Sequence, residues 1–230
     1  MSELVVLFLV VALAVGFLAA FRSRQSSAGA KGRDGERRVA QLISSLGFPA
    51  LHDVYLPSDN GTTQIDHIVR VGNCIVVIET KNFGGMLYGG AHDPSWRQSF
   101  RRKDSSSFFN PLKQNAIHVK SVAKIAGTGA DIRQLVVMAG SSRFPNGAPD
   151  GVVGLIDLKQ WLRFAFVDAG KYGTVKEPWE RLIRAAKKGN TPRSRADHAE
   201  TVRRATSQQS GRASDGARID PIFINDGSGG

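Results

Sequence analysis

Four consecutive β-branched residues, Ile75-Val76-Val77-Ile78, constrain this chain more than any other stretch. Branching at Cβ favours extended backbone. An apolar run without alternation marks a strand covered on both faces. The stretch around it reads Q-I-D-H-I-V-R-V-G-N-C-I-V-V-I-E-T-K-N, from Gln64 to Asn82. Two β-branched runs flank Gly72-Asn73, and a Gly-Asn pair between such runs signals a hairpin. A two-residue turn sets Val71 against Cys74, Asp66 against Glu79 and Gln64 against Lys81. Side chains two apart on a strand share a face, so the four polar groups are expected to point the same way.

Two carboxylates facing each other across an antiparallel pair, with Cβ atoms roughly 4.5–5.5 Å apart, repel. A cation between them reverses the sign. Hard divalent ions suit carboxylate oxygens, usually one or two of them together with waters and substrate phosphates. Lys81 adds a positive charge beside Asp66 and Glu79. The competing reading is a surface ladder containing an ordinary ion pair. It fits less well, because Glu79 and Lys81 emerge from the end of a buried strand.

These residues carry a resemblance. Glu79-Thr80-Lys81 after a hydrophobic strand, with Asp66 on the preceding one, is similar to the PD-(D/E)xK nuclease superfamily. More narrowly, Q-I-D-H-I-V, then V-I-E-T-K-N, then Trp96, then N-P-L-K-Q at 110–114 resembles the nuclease-related domain, NERD. The likeness runs from about Gly32 to Met138. Ile65, not proline, precedes Asp66, a departure from the superfamily pattern that leaves the metal site intact. The resemblance implies a restriction-endonuclease-like core with Asp66 and Glu79 holding Mg²⁺ or Mn²⁺. Lys81 would be catalytic with them, and Gln64 and Glu36 would support them.

Ahead of this region, Leu4 to Phe21 is eighteen residues without a charge or a hydrogen-bonding side chain. As a helix it spans about 27 Å at 1.5 Å per residue, close to the roughly 30 Å bilayer core. A cleaved signal peptide is the competing reading, but it wants a positive n-region, and Glu3 is the sole charge before the run. Basic residues follow at Arg22, Arg24, Lys31, Arg33, Arg37 and Arg38. Residues 1–22 are therefore expected to anchor the chain in a membrane, with the C-terminal part cytoplasmic. Residues 23–31 read as a linker, and 32–186 as the folded domain.

Val39, Leu42, Ile43 and Leu46 form a one-sided helical stripe stopped at Gly47, with Asp34 as a cap. Glu36 would then lie in the first turn, where a carboxylate also suits the helix dipole. Leu51–Leu56 is a first strand ended by Pro57, and Met86–Tyr88 a short extra one. Between His92 and Lys103, the residues Arg97, Arg101, Arg102 and Lys103 suit phosphate contact. The alternative there is a solvated loop, with Trp96 plugging the core. Asn110-Pro111 is an N-cap followed by proline at the first helical position. Gln114 on that helix either orients a phosphate or water or bonds to the sheet. Ile132–Ala139 and Val152–Ile156 read as strands, and 157–167 and 178–186 as helices. From Lys187 to Gly230 hydrophobes thin out, which reads as a disordered basic tail.

The net charge of +11 favours an anionic partner, nucleic acid or lipid. One cysteine, Cys74, excludes an internal disulfide. No phosphate-binding glycine loop or dinucleotide fingerprint is present. The expected fold is α/β: helix, three-stranded antiparallel meander, helix, strand. The leading function is a membrane-anchored, metal-dependent nuclease, with DNA favoured over RNA. The alternatives are a non-catalytic nucleic-acid-binding module held at the membrane, and a scaffold on anionic lipid.

Overall fold

A computed structural model of the chain describes residues 29–59, 61–101, 104–169 and 174–200. The first described element is a helix, α1, at 29–45. Then come β1 (Ala50–Ser58), β2 (Gly61–Val71), β3 (Cys74–Lys81), β4 (Met86–Tyr88), β5 (Ser95–Arg101) and β6 (Asp104–Phe109). Helix α2 (Pro111–Ala126), β7 (Asp131–Met138), β8 (Val152–Gly154), α3 (Leu158–Asp168) and α4 (Lys176–Gly189) follow. Residues 192–200 form a further helix, α5. The architecture is mixed α/β, and the expected order of helix, meander, helix and strand is present.

The main sheet has the order β1-β2-β3-β7-β8. Strands β1, β2 and β3 are antiparallel neighbours, whereas β7 runs parallel to β3. The β2–β3 turn is the two-residue Gly72-Asn73 turn, with Val71 opposite Cys74 and His67 opposite Ile78. Gly72 adopts φ 60, which its lack of a Cβ permits. Strand β3 is central and covered on both faces. Val76 and Ile78 pack with Val39 and Ile43 of α1 and with Leu158 and Leu162 of α3. Ile75 and Val77 pack on the other side with Val122 of α2 and with Trp179 and Leu182 of α4. The unalternating run thus divides between two cores.

Several expectations change. Helix α1 already includes residues 29–31, which the linker reading placed outside it. Asp34 is therefore not a cap. It sits inside the helix, its carboxylate 2.5 Å from Arg37 and 3.1 Å from Arg38. Glu36 is likewise beyond the first turn. Strand β1 continues through Pro57 to Ser58. It is an edge strand, where a missing N–H costs no ladder bond. The loop expected from His92 to Lys103 is largely β5, part of a second, three-stranded sheet in the order β4-β5-β6. Trp96 does plug a core, as one reading had it, between Leu87, Leu112 and Met138.

The disordered-tail reading does not hold for 187–200. Residues 187–189 finish α4, and α5 sets the His198 ring edge-on against Tyr55 of β1. The apolar segment 4–21 and residues 201–230 lie outside the described residues. Among the described residues, no helix is long and apolar enough to cross a membrane.

Candidate active site

The site forms where β2 and β3 part. Their ladder ends at His67 and Ile78. Asp66 and Glu79, the next pair in that register, are not joined by ladder bonds. Instead the Asp66 carboxylate accepts a hydrogen bond from the Thr80 backbone N–H at 2.7 Å. The side chain takes the place of a backbone acceptor, so the strands can separate and still leave that donor satisfied.

Glu79 and Lys81 both turn toward α2. Glu79 is buried, at 2 % exposure. The Lys81 ammonium donates to Glu79 Oε1 at 2.5 Å and to Gln114 Oε1 at 3.0 Å. His118 Nε2 lies 3.1 Å from Glu79 Oε2, and its Nδ1 lies 2.9 Å from the Thr63 hydroxyl. Gln114 and His118 are four residues apart on α2, hence on one face. Asn115 beside them bonds the carbonyls of Val77 and Leu135, both at 3.0 Å, which pins α2 over β3 and β7.

Glu36, Gln64 and Asp66 line a cleft of about 440 Å³ with Arg33, Arg37, Asp53 and Arg195. Gln64 does not share the face of Lys81. It donates to Asp53 Oδ1 at 2.7 Å, and Asp53 has a left-handed backbone with φ 50. That conformation is uncommon for a residue with a Cβ and stores local strain. The expectation of four polar groups on one face therefore fails for Gln64, whereas Glu79 and Lys81 share theirs.

Electrostatics tie the two halves together. Burial, and then the Glu79 charge, raise Asp66 well above the usual carboxylate range. Burial also raises Glu36, assisted by Asp53 and Glu79. Burial alone would raise Glu79 too, but the Lys81 charge and the bond to His118 outweigh it and hold Glu79 low. The Glu79 charge, against the opposing effect of burial, raises Lys81. The result is one stable ion pair beside a carboxyl that resists ionising.

Of the residues expected to contact nucleic acid, Gln114 reaches the site through Lys81. Arg97 does not line the cleft; its guanidinium lies 4.2 Å over the Tyr88 ring, on the second sheet. The side chains of Arg101, Arg102 and Lys103 lie outside the described residues. His118, Asp53 and Arg195 went unnoticed in the sequence. Only His118 left a signal there, its four-residue spacing from Gln114.

Residues 31–139 match the model of the nuclease-related domain. This segment is a nuclease-related domain. It belongs in general kind with the PD-(D/E)xK nucleases. The chain is also similar to an uncharacterised protein of Bacillus anthracis, with 42% identity over 96 residues. That match covers 40% of this chain and 45% of the relative, so the chain spans less than half of the relative's length. A crystal structure of a protein of unknown function, AF1548, aligns over 67% of this chain and 95% of its own, at 12% identity and a TM-score of 0.29. A likeness that low carries no argument.

Proposed function

We propose that the nuclease-related domain hydrolyses phosphodiester bonds of nucleic acid, DNA in preference to RNA, with a divalent cation at Asp66 and Glu79. The observation that carries this reading is the crowding of the Asp66, Glu79 and Glu36 carboxyls around a single ammonium. Burial, and then the Glu79 charge, push Asp66 toward its neutral form, and a divalent cation would offset both.

Among the described residues, no three His, Cys, Asp or Glu side chains form a ready cation cage. Mg²⁺ does not require one, since it is usually held by one or two carboxylates, waters and substrate phosphates. The all-oxygen pair Asp66 and Glu79 fits Mg²⁺ or Mn²⁺ on that basis. When bound, the ion would polarise the phosphoryl group and lower the pKa of a water.

The chain's own residues have separate tasks. Asp66 is the carboxylate that faces the cleft while fixing the Thr80 backbone. His118 orients Glu79 from behind. Lys81, held between Glu79 and Gln114, presents a preorganised positive charge for the developing phosphorane charge. Glu36 and Gln64 shape the cleft wall. The core is read as restriction-endonuclease-like, and residues 4–21 as a single membrane span that leaves the domain in the cytoplasm.

The test is cleavage and binding of DNA and RNA side by side, at fixed salt, with Mg²⁺ and with chelator. Asp66→Ala and Glu79→Ala should abolish cleavage, and Lys81→Ala should lose roughly 10²–10³ in rate. Binding should largely survive, because affinity comes mainly from phosphate contacts by other basic residues. Variants that cut as fast as the parent would overturn the site. A parent that binds but never cuts would make the domain a binding module.

A further inference from the structure

We propose that the mouth of the cleft is a phosphodiester-binding subsite completed by Arg195, which comes from a C-terminal arm outside the nuclease-related domain. The subsite includes Arg33 and Arg37 of α1, which line the same cleft. The proposal rests on the nuclease reading and names where the strand beside the scissile bond would be held.

The arm is built onto β1 at several points. A Cβ added to Gly189 would stand 1.9 Å from the Tyr55 carbonyl oxygen, so only glycine allows this approach. Asn190 then spans the strained residue. Its Oδ1 accepts from the Tyr55 N–H at 3.0 Å, and its Nδ2 donates to the Asp53 carbonyl at 3.1 Å. Further on, His198 Nδ1 lies 3.1 Å from the Thr62 carbonyl oxygen, and its ring meets the Tyr55 ring edge-on at 5.9 Å. Arg195 lies between these attachments, so its place at the cleft does not depend on its own charge.

That charge is largely unspent. The Arg195 guanidinium is 3.8 Å from Asp53 Oδ2, and its side chain is 59% exposed. An exposed pair at this separation contributes little. The guanidinium also lies 5.8 Å from the Tyr55 ring centroid, which orients it without neutralising it. The cleft wall carries the carboxylates of Glu36 and Asp53, which would repel a phosphodiester. Guanidinium groups at the mouth offset that repulsion, and their planar forks suit phosphate oxygens. Arg37 is partly engaged by Asp34, which leaves Arg33 and Arg195 the freer cations.

The experiment measures binding of a short fluorescein-labelled DNA duplex, and of its single strand, to the full chain over a range of salt. Arg195→Ala and Arg195→Lys are compared with the parent. Arg195→Ala should weaken binding about tenfold, as expected for loss of a charged hydrogen bond. Its plot of log affinity against log salt should lose about 0.9 in slope for duplex, or about 0.7 for single strand. Arg195→Lys should recover most of that slope. In cleavage, KM should rise while kcat stays near the parent value. A purely structural arginine would shift the melting temperature and leave the salt slope alone.

Parental affinity and slope in Arg195→Ala, with the parent still cutting, would overturn the subsite while sparing the nuclease reading. A parent that binds without cutting would sink hydrolysis and still support the subsite if the slope changes in Arg195→Ala. A parent that binds neither form of DNA would overturn both.

Discussion

Asp66 carries the sharpest consequence at the scale of a single residue. Burial and the Glu79 charge place its folded pKa above the unfolded value, which is about 3.9 for an ordinary aspartate. Between those two values the folded protein holds the extra proton. Stability therefore falls as pH rises through that window, and the whole penalty is present above it. Asp66→Asn removes the ionisation. In chelator, the variant should melt higher than the parent above the window and converge with it at low pH. Mg²⁺ should raise the melting temperature of the parent at neutral pH and leave Asp66→Asn unchanged. A parent and a variant that melt together at every pH would show that the site is not electrostatically crowded.

Helix α2 is the element that joins the two sheets to the site. Its N-cap, Asn110, is fully buried. The side-chain oxygen accepts from the Leu112 N–H at 2.9 Å, and Pro111 occupies the first turn. The side-chain amide donates to the carbonyls of Gly90, Ala91 and Asp93 at 3.2, 3.1 and 2.8 Å. One residue thus starts the helix that carries Gln114 and His118 and ties down the segment before β5. Loss of a cap costs about 0.5–2 kcal/mol, and leaving a buried partner unpaired costs about 1–3 kcal/mol more. Asn110→Ala should therefore lose about 1.5–5 kcal/mol in urea denaturation. Asn110→Asp keeps a cap acceptor but sets a carboxylate oxygen against three carbonyl oxygens, so it should lose at least as much as Asn110→Ala. A loss under about 0.5 kcal/mol in Asn110→Ala would mean that α2 is held by its apolar face alone.

Over the whole molecule, the domain joins an apolar N-terminal run to a basic body. Short basic segments beside a span tend to stay in the cytoplasm, and six Lys or Arg residues lie between Arg22 and Arg38. A reporter fused after Gly230 should report from the cytoplasm, and removal of residues 1–22 should move the protein from the membrane to the soluble fraction. A signal from the far side of the membrane would reverse the proposed orientation. The arm at 190–200 matters at this scale too, because it closes the chain back onto β1, more than a hundred residues earlier in sequence.

The sequence by itself determined the features that depend on neighbouring residues. Gly72-Asn73 determined the turn, and with it the register from Val71–Cys74 to His67–Ile78. The apolar run determined a strand buried on both faces, and Asn110-Pro111 the start of α2. Motif order from Gln64 to Gln114 identified the nuclease-related domain. Each is a local quantity, a dihedral preference or a period of two or 3.6 residues. Only the tertiary structure decided where β2 and β3 part, that Gln114 rather than Gln64 meets Lys81 while His118 joins Glu79, that Asn190 ties onto β1, and that Arg195 reaches the cleft. Those outcomes depend on how layers pack and on which distant groups satisfy a buried carboxylate. Residues as far apart as Asp53 and Asn190 leave no shared period along the chain.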